Sequence, residues 1–290
     1  LDRNVVVQFL PTEIACLVPR RTMTGGATVV GIGDIDYAHR SGRAPTPAPV
    51  RIAALTRGGV RLARNLHFQQ LPGTSHEIDM IIRDARRWNA GPLLVLRRTK
   101  ANERRVRAAV EDARFIHLST HGFFWQPDTL TNAALRHALL TSDLVPWTAA
   151  GVALAGANER AGQPPENDGV LELTEIAALN LRGSPVVFLA ACQTAESSPS
   201  AASSLHGLRA AFCEAGAHDV IAALWNVSDN DKSELVHDFY DELWAHHESP
   251  ARALRDAQRR ARDLHRQATR GKGWVNPSQW GVYIAEGLLP

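Results

Sequence analysis

The chain is poor in cysteine. It has three, Cys16, Cys192 and Cys213, and they lie far apart with no C-x-x-C pair. An odd, scattered set argues against a disulfide framework and against a thiolate zinc site. A reducing, cytoplasmic setting is the expectation. Net charge is equally scarce: 32 Lys and Arg against 30 Asp and Glu leave +2. No global field therefore favours nucleic acid or an anionic membrane. No apolar run approaches the length of a membrane span, and no basic, apolar, small-residue leader opens the chain. The first residue is Leu1 rather than Met, which implies that an upstream region is missing.

What is present is apolar residues in abundance, 44% of 290, enough to bury one large core or two modest ones. Their spacing alternates between short runs and helical periodicity. Thr28–Ile32, Leu93–Leu96, Phe115–Ser119, Pro185–Ala190, Asp219–Leu224 and Trp280–Ala285 read as strands. Between them, Thr74-Ser75-His76-Glu77 reads as a capping box before Ile78, Ile81, Ile82 and Ala85. Residues 100–112, 202–215, the stretch capped by Ser228, and the stretch opened by Ser249-Pro250 read as helices. The alternation predicts an α/β fold: a three-layer sandwich with a mostly parallel central sheet and helices on both faces. Residues 41–50, with three prolines, read as a loop, and residues 126–169 as a long insertion within a single domain spanning 1–290.

Catalytic groups on a parallel sheet gather at the carboxyl ends of its strands. Two chemically competent residues stand there. His121 follows the third strand and Cys192 follows the most apolar one. If those strands are neighbours, the imidazole can activate the thiol. Gly122 lets the backbone approach a substrate carbonyl, so its N–H and that of Cys192 are the candidate oxyanion donors. His precedes Cys, the chain order of caspases rather than of papain-like enzymes. The context Ala190-Ala191-Cys192-Gln193 shares the Ala-Cys-Gln core of the caspase signature and lacks its flanking Gln and Gly.

Several segments in order resemble the CHAT domain, a caspase-like family related to separase and often fused to TPR repeats. They are Leu71-Pro72-Gly73-Thr74, Phe115 to Phe124, Asp168-Gly169 with Leu173-Thr174-Glu175-Ile176, Val186 to Cys192, Gly207 to Phe212 with Ala215-Gly216-Ala217, Leu224 to Asp229, and Pro277 with Trp280. The resemblance implies a caspase-like fold and a cysteine endopeptidase with His121 and Cys192 as its dyad. It implies no cofactor, a protein substrate, and control by a repeat or sensor region. The separase relationship also suggests Asp229 as an acid in the pocket for a basic P1 residue; capping of the following helix is the competing role. The chain has Thr194-Ala195 where the family has Thr-Gly, and Leu205-His206-Gly207 where it has Gly-Glu-Gly. Both departures bear on specificity. The altered motif after Cys192 is also the best support for the alternative, a catalytically silent interaction module.

Other features have plainer readings. His117 and His121 have the i, i+4 spacing of a helical zinc pair, but on a strand they would lie roughly 13 Å apart, so no metal is expected. Gly31-Ile32-Gly33 opens like a dinucleotide fingerprint, but Asp36 takes the third glycine position. Cys16 and Cys213 read as structural. Trp125, Trp147 and Trp225 read as packing residues, and the arginines from Arg252 to Arg266 as a solvated helix face.

Overall fold

The computed structural model describes residues 28–38, 67–124, 150–159, 163, 167–181, 185–190, 192–193, 199–224, 229–268, 276–277 and 280–287, with only the backbone at 124, 192–193, 199–206 and 229–233. In chain order the elements are β1 (Thr28–Ile35), α1 (Gly73–Arg87), β2 (Leu93–Arg98), α2 (Glu103–Val110), β3 (Ala113–Leu118), β4 (His121–Phe124), β5 (Ala150–Ala153), β6 (Val170–Glu172), α3 (Leu173–Ala177), β7 (Val186–Leu189), β8 (Cys192–Gln193), α4 (Pro199–Glu214), β9 (Asp219–Ala223), α5 (Asp229–Ala245), α6 (Pro250–Ala268) and β10 (Tyr283–Gly287). Cys16, the loop at 41–50, Trp125, Trp147, Ala191, Thr194-Ala195, Trp225 and Ser228 lie outside the described residues.

Six strands form the central sheet in the order β2-β1-β3-β7-β9-β10. All neighbours are parallel except β10, which runs antiparallel to β9. The period-2 alternation of the strands divides the core. Val30, Ile32, Ile116, Leu118, Val187 and Leu189 face Val106, Ile176 and Leu208 of α2, α3 and α4. Val29, Phe115, Val186, Phe188 and Ile221 face the other way, against Ile78, Leu235, Phe239 and Leu254 of α1, α5 and α6. Both faces are thus covered, which is why the strands read as near-continuous apolar runs. Each large side chain so buried contributes about 1.5–3 kcal/mol. The result is the expected three-layer α/β sandwich.

A second, four-stranded sheet has the order β6-β5-β4-β8. It grows from the first. The chain leaves β3 at Leu118 and resumes pairing as β4 at His121; it leaves β7 at Leu189 and resumes as β8 at Cys192. The register survives the break, since Leu118 stands opposite Leu189 and His121 opposite Cys192 at the same sequence offset. Part of the stretch expected as an insertion belongs to this sheet: β5 pairs antiparallel with both β4 and β6.

Two local expectations are corrected. Thr74 to Glu77 do not form a capping box, because α1 begins at Gly73 and neither side chain serves its end. The Thr74 hydroxyl instead donates to the Leu71 carbonyl at 2.7 Å and accepts from Asp34 N–H at 3.0 Å, while Glu77 turns into the core. The third strand stops before Ser119, and His121 opens a strand of its own. Gly31 and Gly33 lie inside β1 rather than in a phosphate-binding turn. A Cβ on Gly33 would stand 2.7 Å from Ile78 Cγ1, so this glycine lets α1 pack closely on the strand.

Candidate active site

The small sheet brings His121 and Cys192 together at the carboxyl ends of β3 and β7. They are register partners on adjacent parallel strands, which sets their Cα atoms about 5 Å apart. Cys192 is described at its backbone alone, so the geometry of the pair is that of the two strands.

His121 is 5% exposed. Its Nε2 lies 2.7 Å from the Gln69 carbonyl oxygen. A carbonyl can only accept, so Nε2 carries the proton and the neutral ring keeps its lone pair on Nδ1. Nδ1 is buried and has no hydrogen-bond partner among the described residues. The rings of Tyr37 and Phe68 hold the imidazole, at centroid distances of 5.2 and 5.6 Å. Phe68 also packs on Phe123, at 5.8 Å. Burial pushes the His121 pKa below the ordinary histidine value, and the bond to Gln69 offsets this only in part.

The residue before it fixes the strand. Thr120 Oγ1 donates to the Ala153 carbonyl at 2.5 Å. Its remaining partner, Tyr37 Oη at 2.8 Å, must therefore donate to it. This chain of bonds ties β4 to the end of β5 and places the Tyr37 ring against His121. Gly122 lies in β4 opposite Val152 of β5 and Gln193 of β8. Asp229 is the first residue of α5 and is described at its backbone alone.

His117 is a core residue, as its place within a strand suggested. It is fully buried, with Nδ1 2.9 Å from Tyr240 Oη and Nε2 2.7 Å from Glu77 Oε1. Both nitrogens are engaged, so it is not a metal ligand. Cys213 sits on α4, half-buried, and burial together with Glu286 and Asp219 pushes its thiol up to about 12. Such a thiol is a poor nucleophile at neutral pH. On the same helix Arg209 pairs with Glu286 of β10 inside the core.

Sequence reading missed Tyr37, Phe68 and Gln69. Gln69 acts through its main chain, which no side-chain pattern reveals. The only available signal was position, just ahead of the Leu71-Pro72-Gly73-Thr74 segment.

Among the described residues, no helix is long and apolar enough to cross a membrane. No curated protein matches the chain. The model of the CHAT domain matches residues 12–287, a span that contains both sheets and the His121–Cys192 register pair. This caspase-like α/β chain belongs to the CHAT domain family.

Proposed function

We propose that the chain is a cysteine endopeptidase acting on a protein partner, with His121 and Cys192 as its dyad. The observation that carries this reading is their pairing: a buried histidine with Nδ1 unpartnered among the described residues, opposite a cysteine on the neighbouring strand. Gln69 holds the Nε2–H tautomer, which leaves Nδ1 as the base. In the reaction, the Cys192 thiol gives its proton to His121 Nδ1 and its sulfur attacks the scissile carbonyl carbon. The oxyanion so formed is met by the N–H groups of Gly122 and Cys192. Collapse breaks the C–N bond, and the proton on Nδ1 goes to the leaving amine. Water, deprotonated by the same nitrogen, then hydrolyses the thioester and frees the thiol. The lowered pKa of His121 suits it to begin the cycle neutral.

Asp229, at the N-terminus of α5 on the chain leaving β9, is proposed to receive a basic P1 side chain. A regulatory repeat or sensor region is the proposed controller, and the cytoplasm the proposed compartment. A peptide-library cleavage profile tests the peptidase reading. Cleavage should be lost in Cys192→Ala and in His121→Ala. Equal turnover by wild type and Cys192→Ala on a true substrate would overturn it.

One observation favours a second reading, a catalytically silent interaction module. Thr194-Ala195 replaces the family's Thr-Gly directly after the cysteine. A thiol-reactive peptide probe separates the two, because labelling of Cys192 that depends on His121 belongs only to an active dyad.

A further inference from the structure

The stretch between β5 and β6 carries an asparagine that hydrogen-bonds both residues whose rings hold the imidazole. The Asn158 side chain closes a two-way bond with the backbone of Phe68: Phe68 N–H donates to Oδ1 at 2.8 Å, and Nδ2 donates to the Phe68 carbonyl at 2.9 Å. Its own N–H donates to the Tyr37 carbonyl at 3.0 Å. A carboxamide carries both the acceptor and the donor that this two-way bond uses. The next residue after Phe68 is Gln69, whose carbonyl accepts from His121 Nε2. Nearby, Gly156 N–H donates to the Asp36 carbonyl at 3.1 Å, so the same turn holds the Tyr37 segment at two points.

We propose that Asn158 is a positioning residue: its amide clamps Phe68 so that the Gln69 carbonyl stays aimed at His121, which fixes the imidazole in the Nε2–H tautomer with its lone pair on Nδ1. The segment at 67–70 has no regular secondary structure, so no strand or helix ladder supplies this rigidity. Without the clamp the carbonyl can swing away, and the histidine is free to place its proton on either nitrogen. A wrong tautomer disables a catalytic base even where the residues remain in place.

The kinetic part of this inference rests on the peptidase reading; the tautomer part does not. The test is nitrogen-15 NMR of the histidine-labelled full chain, with His121→Ala used to assign the His121 signals. Wild type should show one tautomer, protonated at Nε2. Asn158→Ala should show a mixture of the two. Asn158→Asp, which keeps the acceptor for Phe68 N–H but turns a carboxylate toward the Phe68 carbonyl, should shift the ring in the same direction and covers the case in which the alanine variant does not fold. On a cleaved substrate both variants should lose about tenfold in kcat with little change in KM. A wild-type tautomer in either folded variant would overturn the proposal. So would failure of both to fold, since the residue would then be structural. If wild type cleaves nothing, the peptidase reading fails while the tautomer measurement still decides the role of Asn158.

Discussion

Replacing Glu103 by glutamine should remove a pH dependence from the stability of this fold. Glu103 opens α2 and is fully buried. Its Oε1 accepts from Gly169 N–H at 2.7 Å, which holds the entry to β6 and so the edge of the small sheet that carries His121. Among the described residues its Oε2 has no hydrogen-bond partner, and the Arg107 guanidinium, 3.7 Å away, also pairs with Glu175. Burial, aided by Glu175 and Asp168, raises the Glu103 pKa from 4.5 to about 8. The sign follows directly. Above 4.5 the unfolded chain gives up this proton while the folded chain keeps it, so stability falls as pH rises toward 8. At about 1.4 kcal/mol per tenfold change in proton affinity, the loss is on the order of a few kcal/mol. Glutamine retains the acceptor for Gly169 and cannot ionise. Urea unfolding at about pH 5 and about pH 9 should therefore show the variant gaining on wild type by roughly 2–4 kcal/mol at the alkaline end. Groups that do not interact with Glu103 titrate equally in both proteins and cancel in the difference. Identical pH slopes for the two proteins would refute the reasoning.

Cys213→Ala should leave any peptide cleavage unchanged, whereas Cys192→Ala abolishes it; comparison of kcat/KM for the two variants checks this. Asp229→Ala should cost cleavage after Arg or Lys far more than stability if the residue lines the P1 pocket. Loss of about 1 kcal/mol in unfolding with an unchanged cleavage profile would make it a helix cap instead. Gly169→Ala should destabilise by roughly 2 kcal/mol or more, read by thermal unfolding, because φ is +86° and a Cβ would stand 2.4 Å from the backbone nitrogen of Ala157. His117→Ala should cost roughly 3 kcal/mol in the same assay, since it strips Glu77 of a buried partner.

The central sheet was legible because its strands are buried on both faces and stand out as apolar runs such as Val186–Leu189. The placement of His121 and Cys192 at the ends of two such runs was legible for the same reason. The second sheet was not. Its strands are only two to four residues long and separated by long stretches of chain, and Ala150–Ala153, all Ala, Gly and Val, carries no period that marks it as a strand. The capping box failed because Thr74 and Glu77 found stronger tertiary partners in Asp34 and His117. The surroundings of His121 were invisible for a different reason: Gln69 contributes a carbonyl that any residue could supply, and Asn158 acts through backbone atoms far away in sequence.

The claim that His121 and Cys192 act as one unit is tested most directly by the rate at which iodoacetamide alkylates Cys192 as pH is varied. Cys213 serves as an internal standard, because its thiol is held at about 12 and should stay unreacted at neutral pH. In wild type, Cys192 should react rapidly at neutral pH, with a profile that follows an imidazole rather than an isolated thiol. In His121→Ala that enhancement should vanish, leaving the profile of an ordinary cysteine. A Cys192 that reacts equally in both proteins, or no faster than Cys213 in wild type, would contradict the account.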